Sequence, residues 1–548
     1  MGKDRRSYNV FFNLHTVSGI AITIGLFVIF LAGAFALFRS EINNWQYNEP
    51  NRPYRTVIDY DKVLKQVEQQ GHNTKGGTFS IFYRKTGDYV NVKATLNKEN
   101  DSITSIDKAM DTKNTQSISM RLHPNSYTQL DQSDQPQEFL GNYINELHFF
   151  NQIPGAGKFL AGLVGLFFGL AIISGVIVHW KKIIPNFFTF RIKSSVKNLW
   201  TDAHVALGIL GLPFQLMYAI TGAFLGVFGL FFLAVFFIQY GGDSQKLENT
   251  LYPDLANLGR EDYLGPTHGL DSISINRLIH SDLKSLDPDE ISFILVNILD
   301  YQEKQGELTL QIEYTGESQF ITKAYKKIRI ADGLLLHKRS IDDYGYGELT
   351  GTVMDKLHDG NFGGFFIKIT YFVLSLITCY VILSGVLIWL VAREKKSYSS
   401  KAKFNRNVGA VFIGSCMGLF PAIALFFCLV KLFPKRFGVM SSIFLLFWLA
   451  YTIYSYFIKS PFKINKHALF LAGGLGLLIP VLNGIQSGLW FWKSLVMGYP
   501  DAFFVDVGWL FLGSISLFSA VAAKKLDSKK SKQKPEEKIP VKLVRAKS

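Results

Sequence analysis

The sequence predicts an α-helical polytopic membrane protein with eight transmembrane helices, a duplicated four-helix core and two α+β domains outside the cytoplasm. Three observations predict it. Of the 548 residues 48% are apolar and only 18% charged, where soluble domains carry about 25% charged residues. The apolar residues fall into blocks of the length, about 20 residues, that crosses a hydrocarbon layer of about 30 Å. Within residues 1–391, two pairs of blocks repeat the same residues at fixed offsets.

Eight blocks qualify as spans, near residues 16–38, 156–180, 204–238, 365–391, 409–432, 437–458, 468–490 and 503–523. Ala32-Gly33-Ala34 resembles a signal cleavage site, but the apolar run from Val17 to Phe38 is longer than the about 7–15 residues of a signal core and reads as an uncleaved anchor. The organisation that follows is transmembrane helix 1 (1–38), a first external domain (39–147), helix 2 (148–180), a cytoplasmic loop (181–203), helix 3 (204–239), a second external domain (240–357), helix 4 (358–391), a C-terminal four-helix module (409–523) and a basic cytoplasmic tail (524–548).

Charge fixes the orientation. With the N-terminus in the cytoplasm, segments 1–15, 181–203, 392–408, 459–467 and the tail from Lys524 carry +21 together, whereas 39–147 and 240–357 carry −1 and −8. Lys and Arg accumulate on the cytoplasmic side of membrane proteins. Both termini are therefore cytoplasmic, the net +15 is a topology signal, and nucleic acid drops out as a partner. The tail, rich in Lys and holding Pro535 and Pro540, reads as a solvated, disordered end. Cys379, Cys416 and Cys428 lie inside apolar blocks, which leaves no disulfide framework and no CxxC site.

The external segments show strand patterning. Thr78–Tyr83 and Tyr89–Ala94 flank Lys85-Thr86-Gly87-Asp88 as a hairpin. Ile291–Leu299, Glu307–Tyr314 and Phe320–Ile330, with a turn at Asp332-Gly333 before Leu334-Leu335-Leu336, suggest a second meander. Helical stretches precede each set, so each segment reads as an α+β domain of about 100 residues, the common domain size.

The repeat places histidines. Leu147-His148, Lys158 and Ser174-Gly175-Val176 match Leu357-His358, Lys368 and Ser384-Gly385-Val386 at an offset of 210. His15, Gly19 and Gly33-Ala34-Phe35 match His204, Gly208 and Gly222-Ala223-Phe224 at an offset of 189. Both copies start inside, so the repeats are parallel and relate by a two-fold axis along the membrane normal. Such an axis brings His15 opposite His204 at the cytoplasmic ends of outward spans, and His148 opposite His358 at the external beginnings of returning spans. Bundle cores hold cofactors on facing helices, and imidazole is a common axial ligand of haem iron. Two haems, one on each pair, would make a transmembrane electron wire. Gly19 and Gly208 would admit a flat ring. His179, which aligns with Trp389, is an alternative ligand at the cytoplasmic pair or a partner for a propionate. Lys158 and Lys368 would neutralise propionates or attract an anionic substrate, or extend to the membrane surface.

Leu357-His358-Asp359-Gly360-Asn361-Phe362-Gly363-Gly364, the Ala331-Asp332-Gly333 turn, Trp200-Thr201-Asp202-Ala203-His204 before Leu212-Pro213-Phe214, and Asn13-Leu14-His15 resemble the PepSY-associated transmembrane helix family over residues 8–392. The resemblance implies an inner-membrane protein whose external domains are PepSY-like. It also implies a kinship with ferric-siderophore reductases, which hold b-type haem on bundle histidines and pass electrons to iron(III) chelates in the periplasm. His15, His148, His204 and His358 match the family pattern. Gln215 departs from it, because some relatives carry a histidine after the Pro-Phe pair. The spans of 409–523 lie outside the resemblance.

The function expected is a di-haem oxidoreductase that reduces periplasmic iron(III), as a ferric siderophore or other chelate, for iron uptake. The electron donor would be a quinol or a cytoplasmic reductase, since no GxGxxG follows a strand and the chain has no flavin or nucleotide domain of its own. Gly155-Ala156-Gly157-Lys158 lacks the first glycine and the Ser or Thr of a phosphate loop and reads as a helix start. His467, Asn483, Gln486 and Lys493 in the last spans are candidates for a quinol site. The alternatives are a non-catalytic scaffold or regulator of a peptidase or uptake system, and a permease built on the parallel repeat. Against the permease, the core spans lack broken helices and midplane carboxylates. Against the scaffold stands the pairing of four histidines.

Overall fold

The computed structural model describes residues 2–48, 58–84, 90–97, 115–122, 127–129, 139–188, 196–243, 246–247, 273–284, 291–314, 323–339, 346–393 and 401–531. Among the described residues eight helices are long and apolar enough to cross a membrane, and the protein is a multi-pass membrane protein. The chain forms two compact units: residues 1–389 with 496–502, and residues 390–495 with 503–548.

In the first unit, α1 (Gly2–Ala36) runs back well beyond the predicted span to the N-terminal residues. After α2 (Arg39–Tyr47) and α3 (Tyr60–Gln69), strands β1 (Thr78–Arg84), β2 (Val90–Asn97) and β3 (Thr115–Leu122) lead to α4 (Leu140–His148) and the span α5 (Gly157–His179). The short α6 (Ile183–Phe187) precedes α7 (Val196–Leu210) and α8 (Leu212–Tyr240). The predicted single span from 204 is thus two helices, because Pro213 stands in the first turn of α8, where its missing N–H and fixed φ start a helix. The second half continues with α9 (Ile275–Lys284), strands β4 (Ile291–Leu299), β5 (Glu307–Tyr314), β6 (Lys323–Arg329) and β7 (Leu335–Arg339), then α10 (Tyr346–Asp359) and the span α11 (Gly364–Arg393).

The two external segments build one sheet rather than two domains. Its strand order is β3-β2-β1-β4-β5-β6-β7, joined where β1 pairs antiparallel with β4 and Ile81 faces Val296. Alternate residues, among them Phe79, Ile81, Val92, Val296, Ile298 and Leu310, point to one face and are buried against Val63, Leu64 and Val67 of α3 and Ile275, Ile279 and Leu283 of α9, as a period of two dictates. The starts of α3 and α9 cap each other. The Tyr60 N–H donates to Asn276 Oδ1 at 2.8 Å, and the Ile275 N–H donates to Asp61 Oδ1 at 2.7 Å. The Asp332-Gly333 turn forms as expected, with Gly333 at φ +73° and Asp332 bonded to Arg329. The Lys85–Asp88 turn and the tail beyond Ser531 lie outside the described residues.

Helices α1, α5 and α8 pack side by side, and Gly162 and Gly226 let α5 and α8 meet closely: a Cβ on Gly162 would stand 2.7 Å from the Gly226 Cα. Small residues at such crossings are how membrane helices associate.

The second unit contains α12 (Ala402–Leu432), α13 (Phe437–Ile458), α14 (Pro461–Ser487), the short α15 (Phe491–Ser494) and α16 (Pro500–Ser531). Helix α16 continues through Lys524 and Lys525 to Ser531, where the sequence suggested that disorder begins.

Candidate functional site

The four repeat histidines meet in two pairs. The rings of His15 and His204 stand 6.1 Å apart, centre to centre, at 75°. Those of His148 and His358 stand 5.7 Å apart at 52°. Ile29, whose carbonyl contacts His148, lies further along the same helix as His15. The interval is about four turns, which at about 1.5 Å per residue sets the two pairs about 21 Å apart, at opposite ends of the bundle. His148 and His358 end the short helices α4 and α10, ahead of the spans that the sequence assigned them to.

Each histidine spends its Nδ1 in the same way. His15 Nδ1 lies 2.8 Å from the Ala171 carbonyl, His148 Nδ1 2.7 Å from that of Ile29, and His204 Nδ1 3.0 Å from that of Val381. A carbonyl only accepts, so Nδ1 carries the proton in each. His358 Nδ1 lies 2.9 Å from Thr221 Oγ1, and that hydroxyl already donates to the Met217 carbonyl at 2.9 Å, so it too accepts. With all four Nδ1 atoms protonated, the neutral ring keeps its lone pair on Nε2. An outer hydrogen bond of this kind fixes the tautomer of metal-ligating histidines. Burial holds His148 and His358 below the ordinary histidine range, His358 to about 3, where the neighbouring imidazole adds to the effect. Both are neutral at pH 7.

The motif glycines seat the rings. A Cβ on Gly33 would stand 2.7 Å from His148 Nδ1, and one on Gly175 3.0 Å from His15 Cε1. At the matched positions, Gly385 faces His204 Cε1 at 3.4 Å and Gly222 faces His358 Cε1 at 3.9 Å. Ala171 and Val381, whose carbonyls hold His15 and His204, are themselves related by the offset that relates the two Ser-Gly-Val motifs. Gly19 and Gly208 meet nothing within 4 Å, leaving a flat surface beside the first pair.

A cavity of about 430 Å³ adjoins the second pair. Leu26, Phe30, Phe168 and Leu225 form an apolar wall, and Arg39, Lys158, Asp355 and Lys368 a charged rim. Lys158 makes no salt bridge to a described residue, whereas Lys368 is bound by Glu41 at 2.8 Å. The sequence reading did not foresee that neutralisation. His179 lies within electrostatic reach of His15 and His204.

The donor sets fit haem. Two imidazoles that shared one iron at about 2 Å would hold their ring centres about 6 Å apart, close to the separations of both pairs. The cavity pairs its apolar wall with a rim of both signs, Arg39 and Lys158 beside Asp355 and Asp359; the wall and the two cations suit a macrocycle that carries carboxylates at one edge. Among the described residues no group of three or more His, Cys, Asp or Glu could hold a bare metal ion. Gln215, at the departure from the family pattern, is buried with Nε2 3.4 Å from Thr378 Oγ1.

The sequence reading missed the aromatic cluster beside the second pair. Tyr218 donates its hydroxyl to the His358 carbonyl at 2.8 Å and stacks edgewise on Phe214 and Tyr371. The spacing of Phe214, Tyr218 and Gly222 at i, i+4 and i+8 marks one helix face and was the available signal. The quinol candidates do not converge. His467 and Asn483 stand toward opposite ends of α14, about 24 Å apart at the helical rise, and Gln486 and Lys493 are exposed.

No curated protein matches the chain. The model of the PepSY-associated TM region matches residues 12–392, through both histidine pairs and the sheet between them, and the chain belongs to that family.

Proposed function

We propose that the chain is an inner-membrane oxidoreductase that carries two haem b groups and delivers electrons to iron(III), held in a siderophore or similar chelate, on the sheet side of the membrane. The observation that carries this reading is the common state of the four histidines: two facing pairs, each Nδ1 proton committed to an oxygen, each Nε2 left as a donor. Haem held by these four histidines would supply a one-electron carrier at each pair.

The chain's own residues do the rest. Ala171, Ile29, Val381 and Thr221 fix ring orientation and raise ligand basicity. Phe30, Phe168 and Leu225 keep the second site apolar, and Arg39 and Lys158 offer charge to carboxylates at its rim. The shared offsets, 189 for His15/His204 and Gly33/Gly222 and 210 for His148/His358, Gly175/Gly385 and Ala171/Val381, support a core made by duplication, with its axis along the membrane normal. The +21 on the cytoplasmic segments against −9 on the sheet segments supports a periplasmic sheet and cytoplasmic termini.

The test is anaerobic. The purified protein, reduced with dithionite and desalted, is mixed with a ferric hydroxamate and an iron(II)-trapping chelator. Reoxidation of the protein with matching formation of the iron(II) complex is expected, and His148→Ala should abolish it. A reduced protein that the ferric chelate leaves reduced would refute the proposed activity.

A further inference from the structure

The C-terminal module holds an ionic cluster that its packing does not require. Helix association there rests on small residues. Gly473 and Gly513 bring α14 and α16 together, a Cβ on either meeting the other's carbonyl oxygen at 3.0–3.1 Å, while Gly414 and Gly418 of α12 seat Ser455 and Tyr451 of α13. Such contacts suffice to join membrane helices.

Against that background stand Lys431 at the end of α12, Asn483 near the end of α14 and Asp506 near the start of α16, exposed by 2%, 0% and 0%. Helix direction puts all three at one end of the module. Asn483 Nδ2 donates to Asp506 Oδ2 at 2.8 Å, and Lys431 lies within electrostatic reach of Asp506. Withdrawing two such charges from water costs about as much as their attraction returns. Two opposite charges buried within reach of each other therefore contribute little to stability, and ionisable groups inside spans mark ion or proton pathways.

We propose that Lys431, Asp506 and Asn483 form a proton-transfer site through which the C-terminal module moves protons. Asp506 takes a proton on a carboxylate oxygen and becomes the neutral acid. Lys431, its counter-charge gone, releases one proton from Nζ and becomes the amine. Passage of the Asp506 proton to Lys431 restores the ammonium–carboxylate pair. One proton enters, one leaves, and no oxidant or reductant takes part.

Asn483 suits the cycle because it donates to an oxygen that accepts in both states of Asp506, so the network survives each step. Its own oxygen is met by Ser487 at 3.5 Å. Helix α13 has no acidic, basic or histidine residue, Lys493 of α15 is exposed, and His467 pairs with Tyr454 toward the other end of α14. Lys435 and Arg436, which follow α12 at the same end, are exposed, so among the described residues of the module Lys431 is the buried cation within reach of Asp506. The enclosure of all three side chains selects for the smallest cation, which passes along hydrogen bonds without repacking.

The test uses the full chain in potassium-loaded liposomes with an entrapped pH dye and valinomycin. Wild type should admit protons faster than protein-free vesicles, and D506N and K431M should fall to the protein-free rate. Wild type at the protein-free rate, or either variant at the wild-type rate, overturns the proposal. Should the variants fail to elute as folded protein, D506E decides: it keeps a proton acceptor and should shift the pH of half-maximal flux, and an unshifted profile overturns the proposal.

Discussion

Gly33→Ala should disable the sheet-side histidine pair, whereas Gly222→Ala at the matched position should not. A Cβ on Gly33 would stand 2.7 Å from His148 Nδ1 and 2.9 Å from its Cε1, while one on Gly222 would meet His358 Cε1 at 3.9 Å. Non-bonded heavy atoms settle at about 3.5–4.0 Å, so Gly222→Ala is accommodated and Gly33→Ala drives the His148 ring back by about 1 Å. From its present 2.7 Å to the Ile29 carbonyl, that retreat carries Nδ1 out to about 3.7 Å, beyond hydrogen-bond range. A buried donor left unpaired costs about 1–3 kcal/mol, which is about a 5- to 150-fold loss in affinity for whatever Nε2 binds. Haem content per chain and a redox titration of the absorption spectrum read the outcome. One centre is expected in Gly33→Ala and two in Gly222→Ala. Two centres with unchanged midpoint potentials in Gly33→Ala, or equal losses in both variants, would refute the seating argument.

At the other pair, Gly175→Ala places a Cβ 3.0 Å from His15 whereas Gly385→Ala leaves 3.4 Å to His204; the first should lose more of its centre, and equal spectra would contradict the geometry. Thr221→Val removes the acceptor of His358 Nδ1 and should weaken the sheet-side centre about 10- to 100-fold, with Thr221→Ser restoring it; haem titration checks both. Asn276→Ala removes the cap on the Tyr60 N–H and should destabilise the sheet by about 0.5–2 kcal/mol, read by thermal unfolding monitored in the amide region. Burial would raise the Asp59 carboxyl, but bonds from the Lys62 N–H and the Asn276 amide outweigh it and hold it below the usual carboxylate value. A depressed carboxyl stabilises above its unfolded value and loses that contribution as pH falls through its folded value. The α3–α9 junction should therefore loosen in acid, below about pH 4, as faster amide exchange at Lys62; an Asp59→Asn variant with the same acid profile would contradict this.

The spans and histidines were legible because their signals are local: blocks of apolar residues, and intervals such as the one from His148 to Ser174, which the stretch from His358 to Ser384 repeats. The single sheet was not, because β1 and β4 pair although α5, α7 and α8 lie between them in the chain, and strand alternation says which face is buried without naming the neighbour. Strand β3 escaped for a related reason: Thr115–Leu122 alternates polar with apolar residues, but the long connection 98–114 to β2 holds no short Gly-containing hairpin turn. Ser-Gly-Val was visible as a spacing marker, yet its role as the seat of His15 and His204 depends on which helix crosses which. Pro213 was noted as part of a motif while the apolar run around it concealed the break between α7 and α8. Asp506 was hidden by the same averaging, as a lone charge in one apolar block whose partner, Lys431, stands in another.

The reduced-minus-oxidised absorption spectrum of the purified chain tests the central claim most directly. Two bis-histidine b-type centres per chain are expected. His148→Ala and His358→Ala should each remove the same one, and His15→Ala and His204→Ala should each remove the other. A protein without dithionite-reducible haem, or a spectrum that none of the four substitutions alters, would contradict the account.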